Sequence, residues 1–222
     1  MLVRDYMTKN PITVSPDTSF PEAMNVMRKQ KIRRLPVVDR GRLVGIVEEK
    51  DMLSNKPSPA TTLSIHEIYG LLEHLHIRQI MSRPVITVEG DCPVEEAARI
   101  MVERKIGCLP IMDGDKLAGI ITETDIFKLL VEVLGGQDAS YRLTLSVPEK
   151  VGELAKISSL VAEQGGNLVS VVSSRVLENQ SREVMIKVTG IAADKLQEIV
   201  AKRGIEILDL RPSARYQPRL FE

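Results

Sequence analysis

The chain has no tryptophan, and only 4 tyrosines and 3 phenylalanines among its 222 residues. Aromatic platforms that stack bases or sugars are therefore scarce, and the core must be aliphatic, which a hydrophobic content of 43% allows. Net charge is missing too. The 30 basic and 30 acidic residues cancel, leaving no bulk attraction toward nucleic acid or an anionic membrane. Cys92 and Cys108 are the only cysteines, with no Cys-x-x-Cys between them. This argues against a disulfide framework or a zinc cluster and fits a reducing, cytoplasmic compartment. No apolar run approaches the roughly eighteen residues of a membrane helix. A phosphate loop, a dinucleotide fingerprint and a nucleophile elbow are likewise absent. The three histidines, His66, His74 and His76, crowd one segment without the spacing that sets two metal ligands on one helix face. These absences exclude the commoner enzyme classes and leave a binding or interaction protein that needs no metal.

What the chain does contain is a duplication. Residues 3–53 align without a gap on residues 77–127, with 19 identities in 51 positions, and the matches fall at structural punctuation: Met7/Met81, Pro36/Pro110, Gly45/Gly119 and Asp51/Asp125. Each copy predicts a short strand (Ile12–Val14 in the first), an amphipathic helix, a hairpin and a second helix. Ser19 and Glu22 have capping-box spacing, and Ala23, Val26 and Met27 form the expected buried stripe. The hairpin turns are Asp39-Arg40-Gly41-Arg42 and Asp113-Gly114-Asp115-Lys116, flanked by apolar runs. One copy leaves an apolar sheet face open, and two can bury those faces against each other. A Ser/Pro/Thr-rich loop over 54–62 and an amphipathic helix with Leu71, Leu72 and Leu75 connect them.

The repeats resemble a tandem pair of CBS domains, modules that bind adenine nucleotides. The most specific element is Gly119-Ile120-Ile121-Thr122-Glu123-Thr124-Asp125. The resemblance implies that the Thr122 hydroxyl donates to phosphate while the Asp125 carboxylate accepts from both ribose hydroxyls; on the residues alone, Thr122 and Asp125 serve equally as a helix cap and a first-turn acid, and the two roles are compatible. The first copy reads Gly45-Ile46-Val47-Glu48-Glu49-Lys50-Asp51, so Glu48, which cannot donate, stands where the hydroxyl belongs. Carried over, one cleft combines Ile120, Thr122 and Asp125 with Met7, Asn10, Ile12, Ile32, Arg33 and Arg34. The second, weaker cleft combines Glu48 and Asp51 with Met81, Val85, Ile86, Ile106, Gly107 and Cys108. Charge follows the same asymmetry: residues 28–42 hold seven basic residues against Asp39, whereas 102–116 hold three of each sign. Arg33 and Arg34 are the cations suited to forked phosphate contacts.

Beyond Gly135-Gly136 the pattern changes. Alternation at Tyr141, Leu143, Leu145 and Val147, a helical stripe at Leu154, Ile157, Leu160 and Val161, and later strands and a helix predict a ferredoxin-like β-α-β-β-α-β order. The stretch from Val147 through Glu149, Val151 and Gly152 to Leu154, with Gly165-Gly166-Asn167-Leu168, resembles an ACT domain. Val151 stands where that family usually has proline. The resemblance implies an amino-acid pocket formed by Glu149, Val151, Gly152, Gly165, Asn167 and Leu168, although the same glycines serve equally to end and connect helices.

The expected architecture is α+β: CBS repeats over 1–56 and 77–135 joined by a linker and helix over 57–76, an ACT-like domain over 139–212, and a tail over 213–222. Two CBS copies and one ACT domain resemble the acetoin utilization protein family. That implies a cytoplasmic, homodimeric or larger regulatory protein with an adenine nucleotide (AMP, ADP, ATP or a derivative) as ligand and no nucleic-acid or membrane partner. The alternative is a structural and dimerisation protein that binds no ligand.

Overall fold

The computed structural model describes residues 1–54, 65–136, 140–176 and 181–213, which fall into two compact units, Met1–Phe127 and Lys128–Glu222. Apart from Ser54 and Ser213, the expected loop over 54–62 and tail over 213–222 lie outside the described residues. In chain order the first unit holds α1 (Val3–Tyr6), β1 (Thr8–Lys9), α2 (Phe20–Gln30), β2 (Arg34–Asp39), β3 (Arg42–Glu48), α3 (Glu49–Ser54), α4 (Ile65–Glu73), β4 (Val88–Glu89), α5 (Val94–Arg104), β5 (Cys108–Asp113) and β6 (Lys116–Thr122). Helix α6 (Glu123–Val133) follows and carries the unit boundary within it.

Local chemistry explains the repeat's helices. The Ser19 hydroxyl accepts from the Glu22 N–H at 3.4 Å, and Lys31 ends α2 in a left-handed conformation (φ 54°). Phe20, Ala23 and Met27 form the buried stripe, with Val26 half-buried at its edge. Lys105 ends α5 in the same way (φ 54°). Both hairpins are in register, Leu35 opposite Val47 and Leu109 opposite Ile121, all four fully buried.

The expected strand at Ile12–Val14 shrinks to one bridge, Val14 with Val37. Earlier in the chain a separate strand, β1, pairs with the other repeat's β6 (Thr8 opposite Ile120, Lys9 opposite Gly119). Asn10 then turns with φ 47°, and Pro11 offers no N–H, so one ladder cannot run on from Thr8 to Val14. The exchange is mutual. Val3 N–H bonds to Cys92 C=O and Arg4 N–H to Gly90 C=O, while Ile77 N–H bonds to Thr18 C=O, Arg78 N–H to Pro16 C=O, and Ser82 bridges Ile46. The segment leading each repeat thus completes the other repeat's sheet, and Val3 and Ile77, both fully buried, are the apolar pegs.

The second unit contains β7 (Tyr141–Pro148), α7 (Glu153–Glu163), β8 (Asn167–Val176), β9 (Ser181–Thr189), α8 (Ala193–Lys202) and β10 (Glu206–Pro212). Its antiparallel sheet has the order β10-β7-β9-β8, the ferredoxin-like arrangement. Leu143, Leu145 and Val147 pack with Ile157, Leu160, Val161, Leu196, Ile199 and Val200. The strand β7 departs from half-burial, because Thr144 and Ser146 are buried as well. Residues 128–136 fold with this sheet: the buried Lys187 ammonium donates to the Gly135 carbonyl at 2.9 Å, and a Cβ on Gly135 would meet Val169 at 2.7 Å.

Candidate functional site

At the β6–α6 junction, Asp125 Oδ2 accepts the Thr122 backbone N–H at 3.0 Å and the Thr122 hydroxyl at 2.7 Å. The chain thereby turns from strand to helix with the hydroxyl and the carboxylate side by side, both half-buried. Met7 lies over Gly119: a Cβ there would sit 2.3 Å from the Met7 sulfur and 3.0 Å from the Thr8 carbonyl oxygen. The Asn10 N–H bonds to the Ala118 carbonyl at 3.2 Å. The structure therefore brings Met7 and Asn10 against the strand that ends in Ile120 and Thr122, and leaves Ile12 exposed.

The first copy repeats this geometry. Asp51 Oδ2 accepts the Glu48 N–H at 3.1 Å, and Met81 covers Gly45 as Met7 covers Gly119. Around it, Met81 and Val85 are half-buried, Ile86 is exposed, and Gly107 and Cys108 are buried.

The two basic residues expected to meet phosphate separate. Arg33 is exposed, with its carbonyl accepting from the Glu49 N–H at 2.8 Å. Arg34 lies between the repeats, its side chain 16% exposed, with Nε 3.6 Å from Glu48 Oε2 and a terminal nitrogen 3.6 Å from Glu123 Oε2. Those separations are ionic contacts beyond hydrogen-bond length, and Nε is buried without a hydrogen bond. Gly107 makes room for this guanidinium, since a Cβ there would lie 1.9 Å from an Arg34 nitrogen. Lys50 adds a second cation 3.3 Å from the same Glu48 oxygen. Sequence reasoning singled out neither Glu123 nor Lys50. The identity of Glu49 and Glu123 in the repeat is the one signal that marks Glu123, and its partner depends on how the copies dock. Beneath them, burial pushes the Cys108 thiol up to about 12, so it stays a neutral apolar neighbour.

In the second unit the expected amino-acid pocket divides. Glu149 and Gly152 (φ 88°) line a cavity of about 240 Å³ with Lys150, Ser173 and Arg182. Arg182 grips Glu149 through two hydrogen bonds of 2.6 and 3.0 Å, holding that carboxyl below the usual carboxylate range. Val151 points into solvent. Gly165, Asn167 and Leu168 are not brought here. They lie at the far end of α7, about 16 Å of helix away, where Asn167 pairs with Thr189 and Gly166 packs on Ile191. The two turns flank one helix from opposite ends, so they cannot enclose one small ligand within the unit. Arg182 carries no local signal in the sequence, because only strand register places it beside Glu149.

A further cavity of about 430 Å³ lies among Arg4, Met7, Glu89, Asp91 and Asp113. Among the described residues no cluster of His, Cys, Asp and Glu fits a metal ion, and no helix is long and apolar enough to cross a membrane.

Comparison with known proteins gives these patterns names. The CBS domain profile matches residues 3–57 and 77–132, and that of the TTHA0829-like ACT domain matches residues 136–211. An uncharacterized protein of Methanocaldococcus jannaschii is 36% identical over 140 residues, 60% of this chain and 33% of that protein. The inosine-5′-monophosphate dehydrogenase of the same organism is 27% identical over 218 residues, 92% of this chain and 41% of the enzyme. The chain thus spans between a third and about two fifths of the length of these two curated relatives. A solved structure of a Vibrio cholerae protein assigned to acetoin utilization (AcuB) is 30% identical, covering 62% of this chain and 95% of that one, with a TM-score of 0.51.

Proposed function

The chain belongs to the CBS-domain family, with a TTHA0829-like ACT domain after its tandem pair, and on that premise we propose that it is a regulatory sensor binding one adenine nucleotide per chain at Thr122 and Asp125. The observation that carries this reading is the strand-to-helix junction where a hydroxyl donor and a carboxylate acceptor stand 2.7 Å apart, covered by Met7 from the other repeat. The hydroxyl suits a phosphate oxygen and the carboxylate a ribose diol, and the exposed Arg33 can swing to a phosphate without giving up an ion pair.

The same reading makes the protein a non-enzyme. The ACT unit takes an amino acid, if any, at the Glu149–Gly152 cavity alone. The chain self-associates through the second unit, whose sheet ends in the edge strands β10 and β8. The likeness to the acetoin utilization protein supports a place in acetoin catabolism, in the cytoplasm. A thermal-shift panel of AMP, ADP, ATP, adenosine and the amino acids tests it, since a ligand of the folded state alone raises its melting temperature. The reading expects a shift with at least one adenine nucleotide, and a flat response to all of them contradicts it.

A further inference from the structure

We propose that the second unit carries a binding site, separate from its Glu149–Gly152 cavity and from both repeats, for a small uncharged molecule bearing hydroxyl groups.

Three neighbouring strands meet at one end of the sheet: β7 starts at Tyr141, β9 ends at Thr189 and β10 ends at Pro212. Register sets Tyr141 opposite both Pro212 and Val188. The Ser213 N–H then extends the β10–β7 ladder by one bond to the Ser140 carbonyl at 2.7 Å. On the other side Gly190, in a left-handed conformation (φ 82°), turns the chain from β9 toward α8. Between these ends lies a cavity of about 290 Å³. Pockets for drug-sized ligands run from about 300 to 1,000 Å³, so the occupant is small.

The lining has two parts. Val188 and Ile191 belong to the buried core of the unit and give an apolar wall. Ser140, Tyr141, Thr189 and Ser213 contribute hydroxyls, and no Asp, Glu, Lys, Arg or His stands among the described lining residues. Ser213 Oγ is buried without a hydrogen-bond partner. Leaving a buried hydroxyl unpaired is unfavourable, so this oxygen favours a partner that enters the cavity. A charged molecule gives up its hydration there and finds no counter-ion. A wholly apolar one leaves the hydroxyl unpaired. A short diol, polyol or hydroxyketone meets both demands, pairing its oxygens with the hydroxyls and laying its carbons on Val188 and Ile191. The same reasoning turns away amino-acid zwitterions and nucleotides, the ligands assigned above to other sites.

The test is a titration of the isotope-labelled full chain followed by amide NMR, with glycerol, 2,3-butanediol and acetoin as uncharged probes and lactate as a charged probe of similar size. At least one uncharged probe should move the amides of Tyr141, Gly190, Ile191 and Ser213 saturably, and lactate should not. Ser213→Ala removes only the unpaired oxygen and should weaken that binding roughly three- to tenfold, as the loss of one neutral hydrogen bond warrants. Arg182→Ala, at the Glu149 cavity, should leave it unchanged. The inference is overturned if no uncharged probe moves these amides, as for a cavity that holds water alone. It is equally overturned if lactate binds as tightly as the uncharged probes, or if Ser213→Ala binds them as well as wild type does. Nothing in this test depends on nucleotide binding, so a flat response to adenine nucleotides overturns the proposed function and leaves this inference to its own outcome.

Discussion

Asp125 has two roles, and they separate experimentally. As the residue that accepts from the Thr122 N–H and hydroxyl it supports the start of α6, so Asp125→Ala costs about 1 kcal/mol of stability, measurable by urea denaturation. Gly166 is a stricter case, because an added Cβ would meet Ile191 at 2.3 and 2.7 Å and Val161 at 3.0 Å. Gly166→Ala is expected to destabilise the second unit by about 1–3 kcal/mol, read in the same denaturation series. Cys108 adds a pH dependence. Its folded pKa, raised by burial to about 12 from an ordinary 9.0, stabilises the fold below pH 9. That contribution falls as pH rises above 9, where the unfolded chain loses its proton first. The urea midpoint of wild type minus that of Cys108→Ala should therefore decline between pH 9 and 11; a constant difference would contradict the burial account. At this scale the repeat made Gly45, Gly119, Asp51 and Asp125 legible, since identical residues at one offset carry identical backbone duties. The position of Arg34 was not legible, because its partners come from hairpin register (Glu48) and from docking of the copies (Glu123).

Among the elements, the exchanged leading segments decide whether the pair holds together. Deleting residues 1–9 removes β1 from the β6 edge, the buried Val3, and the backbone bonds from Val3 and Arg4. One buried valine and several hydrogen bonds amount to about 3–6 kcal/mol, so the truncated chain should melt well below the full one and lose its nucleotide response. An unchanged melting temperature would show that the segment is ornamental. Apart from α1, which no sequence pattern marked, the helices, hairpins and ferredoxin-like order could be read in advance from periodicity and turn chemistry. The strand at Ile12–Val14 could be read only in part: Val14 joins β2, its N–H bonding to the Pro36 carbonyl and its carbonyl accepting from the Val38 N–H, whereas the pairing with the other repeat's β6 belongs to Thr8 and Lys9, two exposed residues with no apolar pattern.

For the whole molecule, Gly135-Gly136 reads as a linker, yet Lys128–Gly136 folds with the second unit and Gly135 supplies the carbonyl that satisfies Lys187. A fragment starting at 139 leaves that ammonium without its acceptor, which costs about 1–3 kcal/mol. Fragment 128–222 should therefore melt higher than 139–222, a comparison that calorimetric scanning makes directly. The central claim concerns the other unit, and isothermal titration of the full chain with AMP, in wild type and Asp125→Ala, tests it most directly. Losing a carboxylate that holds two sugar hydroxyls costs about 1.5–3 kcal/mol, so the account predicts saturable binding at one site per chain that weakens roughly tenfold to a hundredfold in the variant. Equal affinity in the two proteins would contradict it.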